Sequence, residues 1–170
     1  MKKFLLPLLL AGLLAACGQA STSDKPADAE LNPPQGAACA LDGMVLADYP
    51  GPKGQIRFSD GQIDYFCDTI ELMSLLIEPE QVKPIKGAFV QDMAHANWQK
   101  PVGYWVDARK AFYVAGSKRT GSMGPTFGTF ALRADAERFA GQYGGKVYAF
   151  NEVTPEMIKL DGGVLKDQGM

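Results

Sequence analysis

Histidine is nearly absent. A single one, His95, occurs in 170 residues, which argues against zinc enzymes built on several imidazoles and leaves one candidate base for a catalytic triad. Clustered positive charge is also missing. The 17 basic and 19 acidic residues give a net charge of −2, with no Lys/Arg patch, so nucleic acid is not an expected partner. No apolar run reaches the ~20 residues of a bilayer span. What is present is an ordinary globular composition, 46% hydrophobic and 21% charged. That excludes global disorder and suffices for a buried core.

The chain opens with a leader. Met1-Lys2-Lys3 is a positive start, and Phe4 to Leu14 is a short apolar stretch broken by Pro7 and Gly12. Leu14-Ala15-Ala16-Cys17 follows and resembles a bacterial lipobox. This implies cleavage before Cys17 and lipidation of Cys17. Each buried CH₂ of an acyl chain contributes roughly 0.8 kcal/mol of anchoring. Gly18-Gln19 carries no Asp after the cysteine, which favours the outer membrane, facing the periplasm, over inner-membrane anchoring. Gly18 to Gln35 holds Pro26, Pro33 and Pro34 among small polar residues. It reads as a flexible tether spanning roughly 20–25 Å r.m.s..

The expected organisation is residues 1–16 as signal, 17–36 as lipidated cysteine and tether, and 37–103 and 104–170 as two similar α+β halves. In the first half, Gln55 to Phe58 and Ile63 to Phe66 are strand candidates around Asp60-Gly61. Asp68-Thr69-Ile70-Glu71 has the form of a capping box. It opens a helix with an apolar face from Leu72 to Ile77, ended by Pro79. Ile85 to Val90 is the next strand. The second half repeats the order, with Trp105-Val106 and Ala111 to Val114 strand-like and Phe127 to Leu132 extended. Ala134 to Tyr143 is a helix stopped by Gly144-Gly145, and Lys146 to Phe150 is a strand. Thr154-Pro155-Glu156 starts a last short helix. A cleft between two ββαβ halves would be a natural site. Tyr49-Pro50-Gly51-Pro52-Lys53 reads as a rigid exposed loop, either a docking surface or a plain turn.

Soft ligands are the chemistry on offer. Cys39 precedes Gly43-Met44, and a thiolate and a thioether across a glycine turn can face one ion. Met123 stands in Gly121-Ser122-Met123-Gly124-Pro125, a loop without apolar periodicity, as a ligand or a contact residue. Sulfur-rich sites select Cu(I). Cys67 reads as a small buried hydrophobe, though a Cys39–Cys67 disulfide is the default for an oxidising compartment. Asp92 and His95 form a second polar cluster. His95 would ligate a metal with Asp92 or Asp42, or serve as an ordinary hydrogen-bonded residue.

The pattern Cys39-x-x-Asp42-Gly43-Met44, Tyr49-Pro-Gly-Pro-Lys53, Phe66-Cys67-Asp68, Asp92-Met93-Ala94 with Trp98, Asp107-Ala108 and Gly121-Ser122-Met123-Gly124 resembles the nitrous oxide reductase accessory lipoproteins, the NosL family. Asp42 departs from the second cysteine expected in many relatives, which removes a Cys-x-x-Cys redox pair. The resemblance implies a periplasm-facing Cu(I) chaperone, not an enzyme. It implies partners in nitrous oxide reductase apo-protein or its membrane ABC-type assembly complex. It also implies two ββαβ halves like organomercury lyase. Carried over by motif, the copper ligands would be Cys39, Met44 and Met123. A second, divalent metal would fall to His95 with Asp42 or Asp92.

Two other readings stand beside the carrier. A thiol-dependent lyase would need a second thiol or an acid beside Cys39. A lipid-anchored scaffold that binds no metal would carry the Cys39–Cys67 disulfide.

Overall fold

The computed structural model describes residues 31–77 and 83–159. The leader, Cys17, Pro79 as helix terminator and the chain end after residue 159 lie outside the described residues.

Strand β1 (Gly54–Phe58) is the centre of the first sheet. It pairs antiparallel with β2 (Ile63–Phe66) through Ile56 and Asp64. Helix α1 (Thr69–Ile77) follows directly. Asp68 accepts the Ile70 N–H at 2.9 Å through Oδ1, and Glu71 Oε2 accepts the Asp68 N–H at 3.2 Å. Those two bonds are the reciprocal capping expected from the sequence, and they satisfy donors that a helix start leaves unpaired. Ile70, Leu72 and Met73 are buried on this helix. Strand β3 (Ile85–Gln91) returns along the other edge of β1, with Ile56 opposite Ala88.

The next strand differs from expectation. β4 (Trp105–Asp107) is not the start of the second half but the outer strand of the first sheet, with Val106 opposite Val90. Its alternating apolar pattern fixes a buried face, not which sheet edge it joins. The first sheet therefore runs β2-β1-β3-β4. Trp105 Nε1 also donates to Asn32 Oδ1 at 3.0 Å, as does Gly103 N at 3.1 Å. Residues 31–36, expected to belong to the tether, thus lie against this edge. One Asn side chain accepting two donors supplies an anchor that composition alone does not reveal.

Strand β5 (Phe112–Ala115) leads into a small hairpin, β6 (Thr120–Gly121) and β7 (Gly124–Pro125). Strand β8 (Gly128–Phe130), helix α2 (Arg133–Tyr143) and strand β9 (Lys146–Ala149) complete the second sheet, ordered β8-β5-β9. Gly144 closes α2 with φ +79° and donates its N–H to Ala140 O, as the sequence suggested. The strand orders β2-β1-β3 and β8-β5-β9 correspond, and the first sheet carries β4 as an additional outer strand. The expected last helix is a 3-10 turn, Pro155–Met157.

The two sheets share their main cluster, while α2 packs on the second sheet in a smaller one with Val114, Phe130 and Trp98. Ile56, Phe66 and Val90 pack in one cluster with Tyr113, Phe127 and Val153. Tyr49 to Lys53 is not an exposed loop either, since Gly51, Pro52 and Lys53 are buried. Gly51 (φ +82°) passes so close to the hairpin that a Cβ there would sit 2.9 Å from Gly121 Cα. Burial is possible because each polar group finds a partner. Gly51 N donates to Trp98 O, and Lys53 Nζ donates to Pro50 O and Cys67 O at 2.9 and 3.0 Å.

Candidate metal centre

The segment 38–45 folds into a tight loop. Ala38 and Val45 pair across it, Cys39 N donates to Met44 O at 2.8 Å, and Gly43 N donates to Cys39 O at 3.0 Å. Gly43 adopts φ +75°, a conformation a side chain would strain. Asp42 Oδ1 accepts the Met44 N–H at 2.9 Å. The loop is laid on β2 by the Ala40 N–H, which donates to Tyr65 O. Two residues beyond Tyr65 the chain reaches Cys67, and one turn into α1 it reaches Glu71. Loop, strand end and helix start therefore converge.

Both cysteines are free and buried. The Cys39 thiol donates to Glu71 Oε2 at 3.3 Å, and the Cys67 Sγ lies 3.4 Å from the same oxygen. Cys67 Sγ also meets Ser122 Oγ at 3.2 Å and Asp42 Oδ2 at 3.8 Å. One donor atom from each of Cys39, Asp42, Cys67 and Glu71 lies within 4.8 Å of all the others. Among the described residues this is the only group of three or more His, Cys, Asp and Glu side chains so arranged. Asp42 is its exposed member, so the cluster has a solvent side. Met44 packs half-buried against Cys39, Leu46 and Cys67.

Burial keeps the two thiols of this cluster protonated. Burial pushes both thiols above their ordinary range, Cys67 further than Cys39. Burial also raises Asp68 to about 6 and lowers Lys53, although the nearby thiols and carboxylates favour its ammonium form. A soft cation entering here would displace thiol protons and meet two sulfurs with a carboxylate between them.

The expected residues are distributed unevenly. Cys39 and Asp42 are in the group, and Met44 adjoins it. Met123 is 45% exposed in the turn of the β6–β7 hairpin, next to the Ser122 that touches Cys67. His95 and Asp92 form a pair of their own, His95 Nε2 to Asp92 Oδ2 at 3.9 Å. The His95 ring stacks on Tyr104, with centroids 5.6 Å apart, and its side chain is largely exposed. Sequence reasoning missed Cys67 and Glu71 as members of the site. The capping box was the available signal, because a Glu71 side chain that reaches back to the Asp68 N–H lies beside the preceding Cys67.

Comparison with known proteins points the same way. The family model described as NosL matches residues 30–158. The copper-binding lipoprotein NosL of Stutzerimonas stutzeri is 34% identical over 159 residues, 91% of this chain and 81% of that protein. The copper-binding lipoprotein NosL of Achromobacter cycloclastes is 38% identical over 120 residues, 68% of this chain and 62% of that protein. The crystal structure of the copper chaperone NosL from Shewanella denitrificans superposes with a TM-score of 0.66 at 41% identity, covering 73% of this chain and 99% of that one. These relatives are copper-binding and chaperone proteins rather than enzymes. The chain belongs to the NosL family.

Proposed function

We propose that this protein carries Cu(I) in the periplasm, tethered by lipid on Cys17, and passes it to nitrous oxide reductase apo-protein or to the ABC-type complex that assembles it. The observation that carries the reading is the meeting of two free, buried thiols on one carboxylate oxygen beside Met44. It occurs in a chain whose relatives are named for copper. Two thiolates and a thioether suit Cu(I). Met123, exposed on the hairpin beside Ser122, closes over the ion as a further sulfur ligand. Delivery is ligand exchange from the open Asp42 side: a partner sulfur or imidazole joins the copper, and the carrier's ligands leave one by one. The second thiol and acid that a lyase would require are present as Cys67 and Glu71, but the same set serves a carrier. A divalent ion at the His95–Asp92 pair would have two protein donors and would need others from water or a partner.

The test is an anaerobic Cu(I) titration of the protein against a coloured chelator, with Cys39→Ser and Cys67→Ser alongside. One tight equivalent, weakened in both variants, is the expected result. Tight binding untouched by either substitution would sink the assignment.

A further inference from the structure

A second site lies in the other half of the molecule. A cavity of about 220 Å³ opens beside α2, and none of the thiol-cluster residues line it. Its walls include the rings of Trp98, Phe130, Phe139 and Tyr143, with the guanidinium groups of Arg119 and Arg138. Trp98 stacks on Phe139 with centroids 5.3 Å apart, and Phe139 meets Tyr143 at 4.8 Å. The Arg119 guanidinium lies over Trp98 at 4.8 Å and over Tyr143 at 5.1 Å.

The two arginines differ in one respect. Arg138 is paired with Asp135. Arg119 makes no ion pair and donates no side-chain hydrogen bond among the described residues, and its Nε is buried without an acceptor. An arginine in contact with two aromatic rings is restrained, and its forked donors match a planar, two-oxygen anion. An unpaired buried donor is costly, which singles out a missing acceptor as the natural completion. With Asp135 offsetting Arg138, one positive charge remains, so the ligand is a monoanion. The rings call for an apolar body behind it.

From these observations we infer that the cavity binds a monoanionic carboxylate attached to an apolar or aromatic group, with Arg119 gripping the carboxylate. The carboxylate is either that of a free small acid or one presented by a partner protein at an apolar chain end. Arg119 directly precedes β6, and Trp98 Nε1 donates to Thr120 O at 2.9 Å. The site therefore stands at the foot of the hairpin that carries Met123. It rests on its own residues and is independent of copper binding.

The experiment follows the indole N–H signal of Trp98 and the Nε–H signal of Arg119 by NMR in the copper-free protein. The probes are phenylacetate, neutral phenylacetamide, inorganic phosphate, and a short apolar peptide ending in Phe as either the free acid or the amide. A saturable shift with phenylacetate identifies the free-acid source. A shift confined to the free-acid peptide identifies the partner source. In both cases Arg119→Gln should weaken binding at least tenfold, while the neutral and amide probes leave the signals still. Equal shifts with phenylacetamide, stronger binding of phosphate, or no saturable shift with any carboxylate would overturn the inference. The acid-against-amide comparison is made on the unaltered protein, so it decides the matter even if Arg119→Gln fails to fold.

Discussion

The Sγ of Cys67 and the Oγ of Ser122 stand 3.2 Å apart, although the first belongs to the bend between β2 and α1 and the second to a hairpin inserted between β5 and β8. That contact docks the Met123 turn onto the thiol cluster. Ser122→Ala should leave the fold intact and weaken Cu(I) binding about threefold to tenfold, since one net hydrogen bond is worth roughly 1 kcal/mol. Chelator competition on the variant measures it.

The methionines should separate by burial. Met44→Leu exchanges half-buried side chains of similar volume and should cost under about 1.5 kcal/mol of stability. Met123→Leu, on an exposed turn, should cost almost none. Both should weaken Cu(I) binding, because leucine offers no lone pair. Denaturant melts and copper titrations run together check the two effects. Full copper affinity in both variants would remove the thioethers from the ligand set.

Affinity should rise steeply with pH. Burial holds both thiols above their ordinary range, so each thiolate engaged by copper releases a proton across the neutral region. Two engaged thiolates give a hundredfold gain in affinity per pH unit, and one gives tenfold. Proton release on copper addition in weak buffer counts them directly.

Asp68 makes a stability prediction with a definite sign. Its folded value is raised from 3.8 to about 6 by burial, and its Oδ2 has no hydrogen-bond partner. A raised folded value means the native state holds its proton more tightly than the unfolded chain. The favourable contribution is therefore complete below about pH 4 and lost as pH rises through 6. Exposed Asp60 and Glu156, both lowered, work in the opposite sense, so the measurement must be a difference. Stability of the parent relative to Asp68→Asn should fall by up to roughly 3 kcal/mol between pH 4 and pH 7. A flat difference would show that Asp68 stays charged throughout.

Gly121→Ala should strike the fold and the site together. A Cβ there would lie 2.4 Å from Asp68 Oδ2 and 2.9 Å from Thr126 Cβ. Relief requires the hairpin to move, at a cost of about 1–3 kcal/mol. Copper affinity should drop with it, because Ser122 and Met123 ride on the same turn.

Much of this was readable from the letters. The Cys39–Met44 turn was visible in Gly43, α2 in its length and glycine stop, and the α1 start in its capping box. The losses have a common cause. Glu71 was read as a capping residue, and it is one, but a letter does not announce a second role for the same oxygen. Cys67 was read as buried, which it is, while its neighbours come from a loop far back in the chain. The prolines and glycine of Tyr49 to Lys53 suggest an exposed turn; two backbone carbonyls make the burial of Lys53 tolerable. Trp105 joins the first sheet rather than the second because strand patterns record a face and not a partner.

The main cluster shared by the two sheets has an implication for how this chain can be divided. Tyr113 and Phe127 complete a surface begun by Ile56 and Phe66, so neither sheet covers this face by itself. A gene cut between them would yield two sticky, incompletely covered fragments rather than two working modules. The thiols would fare no better, since Glu71 would keep both but lose the hairpin that covers them.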